Sequence, residues 1–157
     1  MIENPLSAAI QLRPARESEM PALNAMDQQP HANRFVLQTG LKRHLQNFAD
    51  PDITYLVIER HRERCGYSIL VPETDNHSVE LRRILIDQHH RGVGQTALAM
   101  IERYCYQRWQ AKRIWLDVFS DNPIARHIYQ KSGYQPFRKE RHETRRLLFL
   151  EKTLQVG

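Results

Sequence analysis

The chain has 157 residues, enough for a single ordinary domain over 1–157 with a core of its own. Apolar residues make up 41% and charged residues 26%, which excludes a disordered chain; no run approaches the roughly 18 continuous apolar residues of a membrane helix. The net charge of +5 suits any anionic partner and by its sign selects none.

The opening segment, MIENPLSAAIQLR, carries an acid near its start and no basic-then-apolar layout, so no secretory signal is expected and a cytoplasmic setting is. Residues 9–15 (AIQLRPA) read as a first strand. A helix follows from Glu19 to Met26, with Ser18 as its expected cap and Pro21 tolerated in the first turn. Residues 28–38 read as irregular. A second helix spans Leu41 to Phe48 and ends before Asp50-Pro51, because the residue ahead of a proline is pushed out of helical geometry. Three strands are predicted next: 53–60 (ITYLVIER), Cys65 to Val71, and Val79 to Ile86, the last two joined as a hairpin by the turn-rich PETDNHS. Val93 to Trp109 is the strongest helical signal, with apolar residues at helical spacing. Ile114 to Phe119 (IWLDVF) is apolar on both faces, as a central buried strand would be. Asn122-Pro123 opens a last helix as N-cap and N1, and Gly133 closes it at C′. Two final strands are expected near 134–140 and 146–153. Strands dominate the first half and βαβ-like alternation the second, which implies a mixed sheet with helices on both faces.

Cys65 and Cys105 lie far apart without CxxC spacing, so two buried thiols are expected rather than a disulfide or a zinc site. The neighbouring pair His89-His90 has no third ligand at a recognisable spacing, so no metal is expected. The basic run Arg138–Arg146 (RKERHETRR) is interleaved with acids. That composition argues against a dedicated nucleic-acid surface and fits a solvated, charged hairpin.

The informative segment is Gln88-His89-His90-Arg91-Gly92-Val93-Gly94-Gln95-Thr96-Ala97, between a strand and the long helix. Gly92 and Gly94 let the backbone turn tightly and approach a ligand closely. The first N–H groups of a helix are unpaired and attract anions, so the turn can cradle phosphate oxygens, and Arg91 can add a formal charge. Other readings stand beside this one. The turn can simply start a helix. A P-loop is excluded because no Gly-Lys-Ser/Thr follows. Gly92-Val93-Gly94-Gln95-Thr96-Ala97 formally matches the GxGxxA dinucleotide fingerprint. Against that match, Asp87 to Arg91 separate the strand end from Gly92, and the chain has no length for a second substrate domain.

The second half resembles the GNAT superfamily of N-acetyltransferases. Its Gln/Arg-x-x-Gly-x-Gly/Ala turn is matched by His89-His90-Arg91-Gly92-Val93-Gly94, with His89 where glutamine or arginine is usual. Its Asn-x-x-Ala-x-x-x-Tyr-x-x-x-Gly-Phe/Tyr helix is matched by Asn122 to Tyr134, and the strand Ile114 to Val118 lies between the two. The clear resemblance covers residues 79–154. It implies an α/β (α+β) fold with a mixed, mostly antiparallel sheet of six to seven strands, split between strands 4 and 5. Acetyl-CoA, the co-substrate, would lie in that split. Its pyrophosphate would meet the N–H groups from Arg91 to Thr96, its pantetheine arm would run along Ile84, Leu85 and Ile86, and Asn122 would contact CoA.

The implied activity is acetyl transfer to a primary amine of a small molecule or peptide, by direct attack in a ternary complex, since no cysteine is placed as an acyl carrier. The amine must lose a proton, the oxyanion needs a donor and the thiolate needs a proton. The resemblance gives these roles to Glu80 as general base, the Ile84 N–H as oxyanion donor and Tyr129 as the acid toward sulfur. The competing reading of Glu80 is an ion pair with Arg82, which alternation places on the same strand face unless a bulge intervenes. That of Tyr129 is a core tyrosine. Two other functions stand as alternatives, a non-catalytic CoA-binding or regulatory domain and a basic nucleic-acid-binding protein. The resemblance also admits a homodimer.

Overall fold

The structure is a computed structural model and describes residues 9–87 and 92–154. Seven strands form one sheet in the order β1-β2-β3-β4-β5-β7-β6. They are β1 (Ile10–Pro14), β2 (Thr54–Arg60), β3 (Glu63–Glu73), β4 (Ser78–Ile86), β5 (Arg113–Phe119), β6 (Gln135–His142) and β7 (Arg145–Thr153). Every neighbouring pair is antiparallel except β4–β5. This is the mixed, mostly antiparallel architecture the sequence implied.

The parallel contact decides the rest. β4 and β5 pair only at Ser78↔Arg113, Val79↔Ile114 and Glu80↔Trp115. Beyond Glu80 the two strands diverge, and Leu81 to Ile86 have no ladder partner on that side. A parallel neighbour requires a crossover, and the long helix α4 (Gly94–Trp109) supplies it.

The helices are α1 (Met20–Asp27), α2 (Pro30–Asn33), α3 (Leu41–Ala49), α4 and α5 (Pro123–Lys131). The first three cover one face of β1–β4, where Met20, Leu23, Met26 and Ala32 pack on Tyr55, Tyr67, Ile69 and Leu85. On the opposite face, α4 places Ala97, Leu98, Ile101 and Cys105 on Leu56, Ile58, Leu81, Ile114 and Leu116. There Ala125, Ile128 and Tyr129 of α5 pack against the same cluster. Each fully buried Leu or Ile side chain stabilises by about 1.5–3 kcal/mol.

Three local expectations change. Ser18 does not cap the first helix. It lies in a 3-10 turn, Glu17–Glu19, where the Arg16 N–H donates to Glu19 Oε1 at 3.0 Å, and the helix that follows has no side-chain cap. Residues 28–38 are not wholly irregular, because Pro30 supplies an N1 proline for the short α2. IWLDVF is not buried evenly on its two faces. Ile114, Leu116 and Val118 are buried under α4 and α5, whereas on the other face Trp115 is half-buried, Asp117 exposed and only Phe119, covered by the Arg145 guanidinium, buried.

Candidate functional site

The split is lined differently on its two sides. On the α4–α5 side, Ile84, Ile86, Gly94, Leu98, Ala125, Ile128 and Tyr129 enclose an apolar slot of about 120 Å³. A far larger groove of about 1050 Å³ lies between α4 and β6–β7, among Glu102, Arg103, Tyr106 and Lys152; it shares no residue with the split.

β4 reaches the slot with a change of phase. Ile69 pairs with Arg83 and Leu70 with Leu81, so Arg82 is the extra residue of a bulge. Past the bulge, Ile84 and Ile86 face the α4 side, and Leu85 packs with Tyr55 and Tyr67 on the other. The Asp87 N–H donates to Cys65 O at 2.7 Å. Antiparallel alternation therefore turns the peptide groups of Leu85 toward β3 and those of Ile84 and Ile86 toward the gap. Of the three residues expected along the pantetheine arm, Ile84 and Ile86 present backbone polar groups to the split and Leu85 does not.

At the far end stands the start of α4. Gly92 has φ +86°, a conformation that excludes ordinary side chains. A Cβ on Gly94 would enter the slot, its nearest neighbour Ile86 Cγ1 at 4.0 Å. Val93 is fully buried and anchors the turn. The first N–H bonded back into the helix is that of Ala97, to Val93 O at 2.9 Å. The N–H groups of Gly94, Gln95 and Thr96 precede it at the positive end of the helix dipole. His89 and Arg91, with Gln88 and His90, lie outside the described residues.

α5 brings Tyr129 to the slot through caps at both ends. Asn122 Oδ1 accepts from the Ala125 N–H at 3.2 Å, with Pro123 at N1. At the other end Gly133 has φ +96°. Its N–H bonds Gln130 O at 3.1 Å, and the Tyr134 N–H bonds Tyr129 O at 3.0 Å, a Schellman closure. The Tyr129 and Tyr134 rings then meet edge-on at 5.6 Å. The Tyr129 hydroxyl has no hydrogen-bond partner among the described residues. Burial in the slot, then the negative charge of Asp117, push this phenol well above its ordinary pKa, so it keeps its proton.

On the opposite side of the split the groups are charged. Glu80 pairs with Arg82, whose Nη2 lies 2.9 Å from Oε1 and Nε 3.4 Å from Oε2. The ion pair weighed against catalysis in the sequence is thus formed. Asp117, two residues beyond Glu80's partner Trp115, was not singled out from the sequence. Its signal was visible as the one acid inside IWLDVF. Desolvation in the cleft, then Glu80 and Glu140, raise its pKa above the usual carboxylate value. Asp117 is exposed by surface area yet walled by neighbouring strands, and the direction of the shift follows from those walls and the like charges.

Cys65 and Cys105 are buried thiols whose pKa values burial lifts to about 11 and about 12. Both belong to the core cluster under α4. The run from Arg138 to Arg146 forms the outer hairpin β6–β7, whose β6 residues are almost all exposed. No helix among the described residues is long and apolar enough to cross a membrane.

The Acetyltransferase (GNAT) family model matches residues 15–134. The chain is 35% identical over 72 residues to the probable spermine N(1)-acetyltransferase of Bacillus subtilis subsp. natto (strain BEST195), a match of 42% of this chain and 47% of that protein. The chain thus spans about half the length of the curated relatives it matches. Among solved structures, spermidine N-acetyltransferase from Vibrio cholerae in complex with CoA and spermine superposes with a TM-score of 0.80 at 15% identity, covering 94% of this chain and 96% of that one. A ribosomal L7/L12 alpha-N-protein acetyltransferase superposes with a TM-score of 0.78 at 14% identity, covering 95% and 92%. At such identities the likeness is one of fold.

Proposed function

This chain belongs to the acetyltransferase (GNAT) family, and from that premise we propose that it transfers the acetyl group of acetyl-CoA to a primary amine of a polycationic small molecule. One observation carries the reading. The split between β4 and β5 joins an apolar slot ending at Tyr129 to a charged side bearing Glu80 and Asp117.

The slot fits the expected co-substrate. Its apolar walls suit a pantetheine arm, the gap-facing peptide groups of Ile84 and the N–H of Ile86, whose carbonyl is taken by His31 Nε2 at 2.7 Å, suit that arm's amides, and the N–H groups of Gly94, Gln95 and Thr96 suit a diphosphate. Acetyl-CoA supplies an activated acyl thioester, and the protein supplies position and proton transfer. The Ile84 N–H is the nearest backbone donor for charge developing on the acyl oxygen. Tyr129, kept protonated by its surroundings, donates to sulfur.

An incoming alkylammonium has a pKa near 10.4 and must be deprotonated. Glu80 and Asp117 share this task. Desolvation first, then like-charge repulsion from Glu80, raises Asp117, and a carboxylate of raised pKa is the better proton acceptor. The same two charges draw in a polycation, which is where the matched relatives named for spermine and spermidine enter the reading. Neither cysteine is placed or ionised to carry an acyl group, which supports direct attack.

The test follows free thiol release from acetyl-CoA with spermidine, spermine or a short peptide amine. Turnover with the polyamines is expected. Tyr129→Phe should lower kcat about 10²-fold with acetyl-CoA affinity kept. Asp117→Asn should remove the rise of kcat/KM through the acidic range, since the base form of Asp117 exists only above its pKa. Acetyl-CoA binding without thiol release on any amine would leave a binding domain. Salt-sensitive oligonucleotide binding with indifference to acetyl-CoA would make it a nucleic-acid protein.

A further inference from the structure

Resting on that reading, we infer that Glu102 and Tyr134 are positioning residues that aim the Tyr129 phenol at the thioester sulfur. Two buried phenols stand side by side at the end of α5. The Tyr129 and Tyr134 rings meet edge-on, with centroids 5.6 Å apart and planes at 61°. Tyr129 lines the slot. Tyr134 reaches away from it to Glu102, in the wall of the large groove between α4 and β6–β7.

The two hydroxyls are held differently. The Tyr134 hydroxyl donates to Glu102 Oε2 at 2.8 Å. The other oxygen of that carboxylate, Oε1, accepts from Lys152 Nζ at 2.8 Å, so Glu102 is fixed from two directions, by α5's end and by β7. Lys152 Nζ also lies 5.8 Å from the Tyr134 ring centroid. At its other end Tyr134 is tied by its backbone N–H to Tyr129 O, and the residue is only 3% exposed. Burial, then the charge and the hydrogen bond of Glu102, push the Tyr134 phenol far above its ordinary pKa, so its proton stays on this bond. Nothing among the described residues tethers the Tyr129 hydroxyl in the same way. Its direction is set by what its ring packs against, and one of those surfaces is the Tyr134 ring.

The arrangement divides two tasks between two tyrosines. An acceptor bonded directly to Tyr129 would compete with sulfur for the proton. A tether placed one ring away fixes the angle of Tyr129 and leaves its hydroxyl free. Proton transfer depends steeply on that angle, since a displacement of about 1 Å at a reacting group can cost about 10²-fold in rate. The competing role for Glu102 is a staple that holds the end of α5 to α4. A staple of purely structural worth lowers the melting temperature when cut. Its effect on turnover, if any, is the same whether or not Tyr129 carries a hydroxyl.

The experiment is a double-mutant cycle between Glu102→Ala and Tyr129→Phe, read as thiol release from acetyl-CoA with spermidine, below the melting temperature of every variant. In the otherwise wild-type chain, Glu102→Ala is expected to lower kcat about tenfold, with the acetyl-CoA dissociation constant within about twofold. In the Tyr129→Phe background the same change is expected to lower kcat less than about twofold, because the hydroxyl it acts through is gone. Tyr134→Phe, which keeps the ring and cuts the tether, should lower kcat in the same direction. Glu102→Gln keeps an acceptor oxygen for the Tyr134 hydroxyl and should recover most of the loss. An unchanged kcat in folded Glu102→Ala, or an equal loss in both backgrounds, overturns the positioning role alone. A Tyr129→Phe variant with wild-type kcat overturns it together with the acid role of Tyr129. A wild-type chain that binds acetyl-CoA and releases no thiol with any amine removes the function on which both rest.

Discussion

On the face covered by α1–α3, Asp27 is fully buried and accepts from Tyr67 at 2.5 Å, from His44 Nε2 at 2.8 Å and from Arg83 at 3.1 Å. His44 in turn meets the Tyr55 hydroxyl through Nδ1 at 2.7 Å. A carboxylate only accepts, so the imidazole donates to Asp27 through Nε2. Under α4 and α5 the cluster is aliphatic and aromatic. The buried polar side chains among the described residues, Glu19, Asp27, His44, Ser68 and Ser78, all precede Val79. One region is located by directional bonds and the other by apolar volume. A directional network has one satisfied geometry, so it suits the part of the fold that fixes β4 beside the split. Apolar packing suits a slot that a flexible arm must enter.

The hardest blow to this contrast is Asp27→Ala. It leaves Arg83 without its counter-charge, Tyr67 without its acceptor and His44 Nε2 without a partner, all in the interior. Breaking a buried charge network in this way costs about 3–5 kcal/mol. Urea unfolding should show a loss of that size. A loss below 1 kcal/mol would mean the network is ornamental and the two regions are held alike.

Glu19 gives a slightly smaller effect and a sign that can be checked. Hydrogen bonds from Arg13 first, then the Arg16 N–H and Arg64, outweigh desolvation and hold its pKa at about 2, against an ordinary 4.5. A depressed carboxylate stabilises fully above its unfolded pKa. That contribution, about 3 kcal/mol, is lost as pH falls from about 4.5 toward 2. Glu19→Gln should therefore be less stable than wild type at pH 7 and converge on it in acid. Parallel pH curves for the two proteins would remove the ion cluster from the account.

Legibility in the sequence divides along the same line. The start of α4 after Gly92, the Asn122 cap and the Gly133 closure are local signals, each made within a few residues, and each stands where the spacing put it. The Asp27 network is assembled from partners separated in sequence by 11, 17, 40 and 56 residues, and no local pattern announces it. His44 is one of eight histidines and looks like the others. A bulge near Arg82 was admitted by the sequence but could not be placed by it. Alternation predicts which residues share a face, and an extra residue changes that phase only when the partner strand is known. Asp117 was the intermediate case. An acid in an apolar strand is visible, but its meaning depends on β4 turning away beside it.

The smallest effect separates two roles that the sequence assigned to one residue. Asn122 caps α5, and the family resemblance adds a contact to CoA. Asn122→Ala loses the cap and should cost about 1 kcal/mol of stability. Tyr129 is held from the other end of the helix by the Gly133–Tyr134 closure, so kcat should change little. Asn122→Asp keeps an acceptor for the Ala125 N–H and adds a negative charge at the positive end of the helix dipole, so stability should return to wild type or slightly above it. That same charge would repel a phosphorylated ligand. If the residue also meets the coenzyme, the acetyl-CoA dissociation constant must rise in the aspartate variant despite its restored stability. Calorimetry on the two variants decides between them. A fully stable Asn122→Asp protein with unchanged acetyl-CoA affinity would leave the cap as the whole role of this side chain, and the coenzyme's grip to the amides of α4.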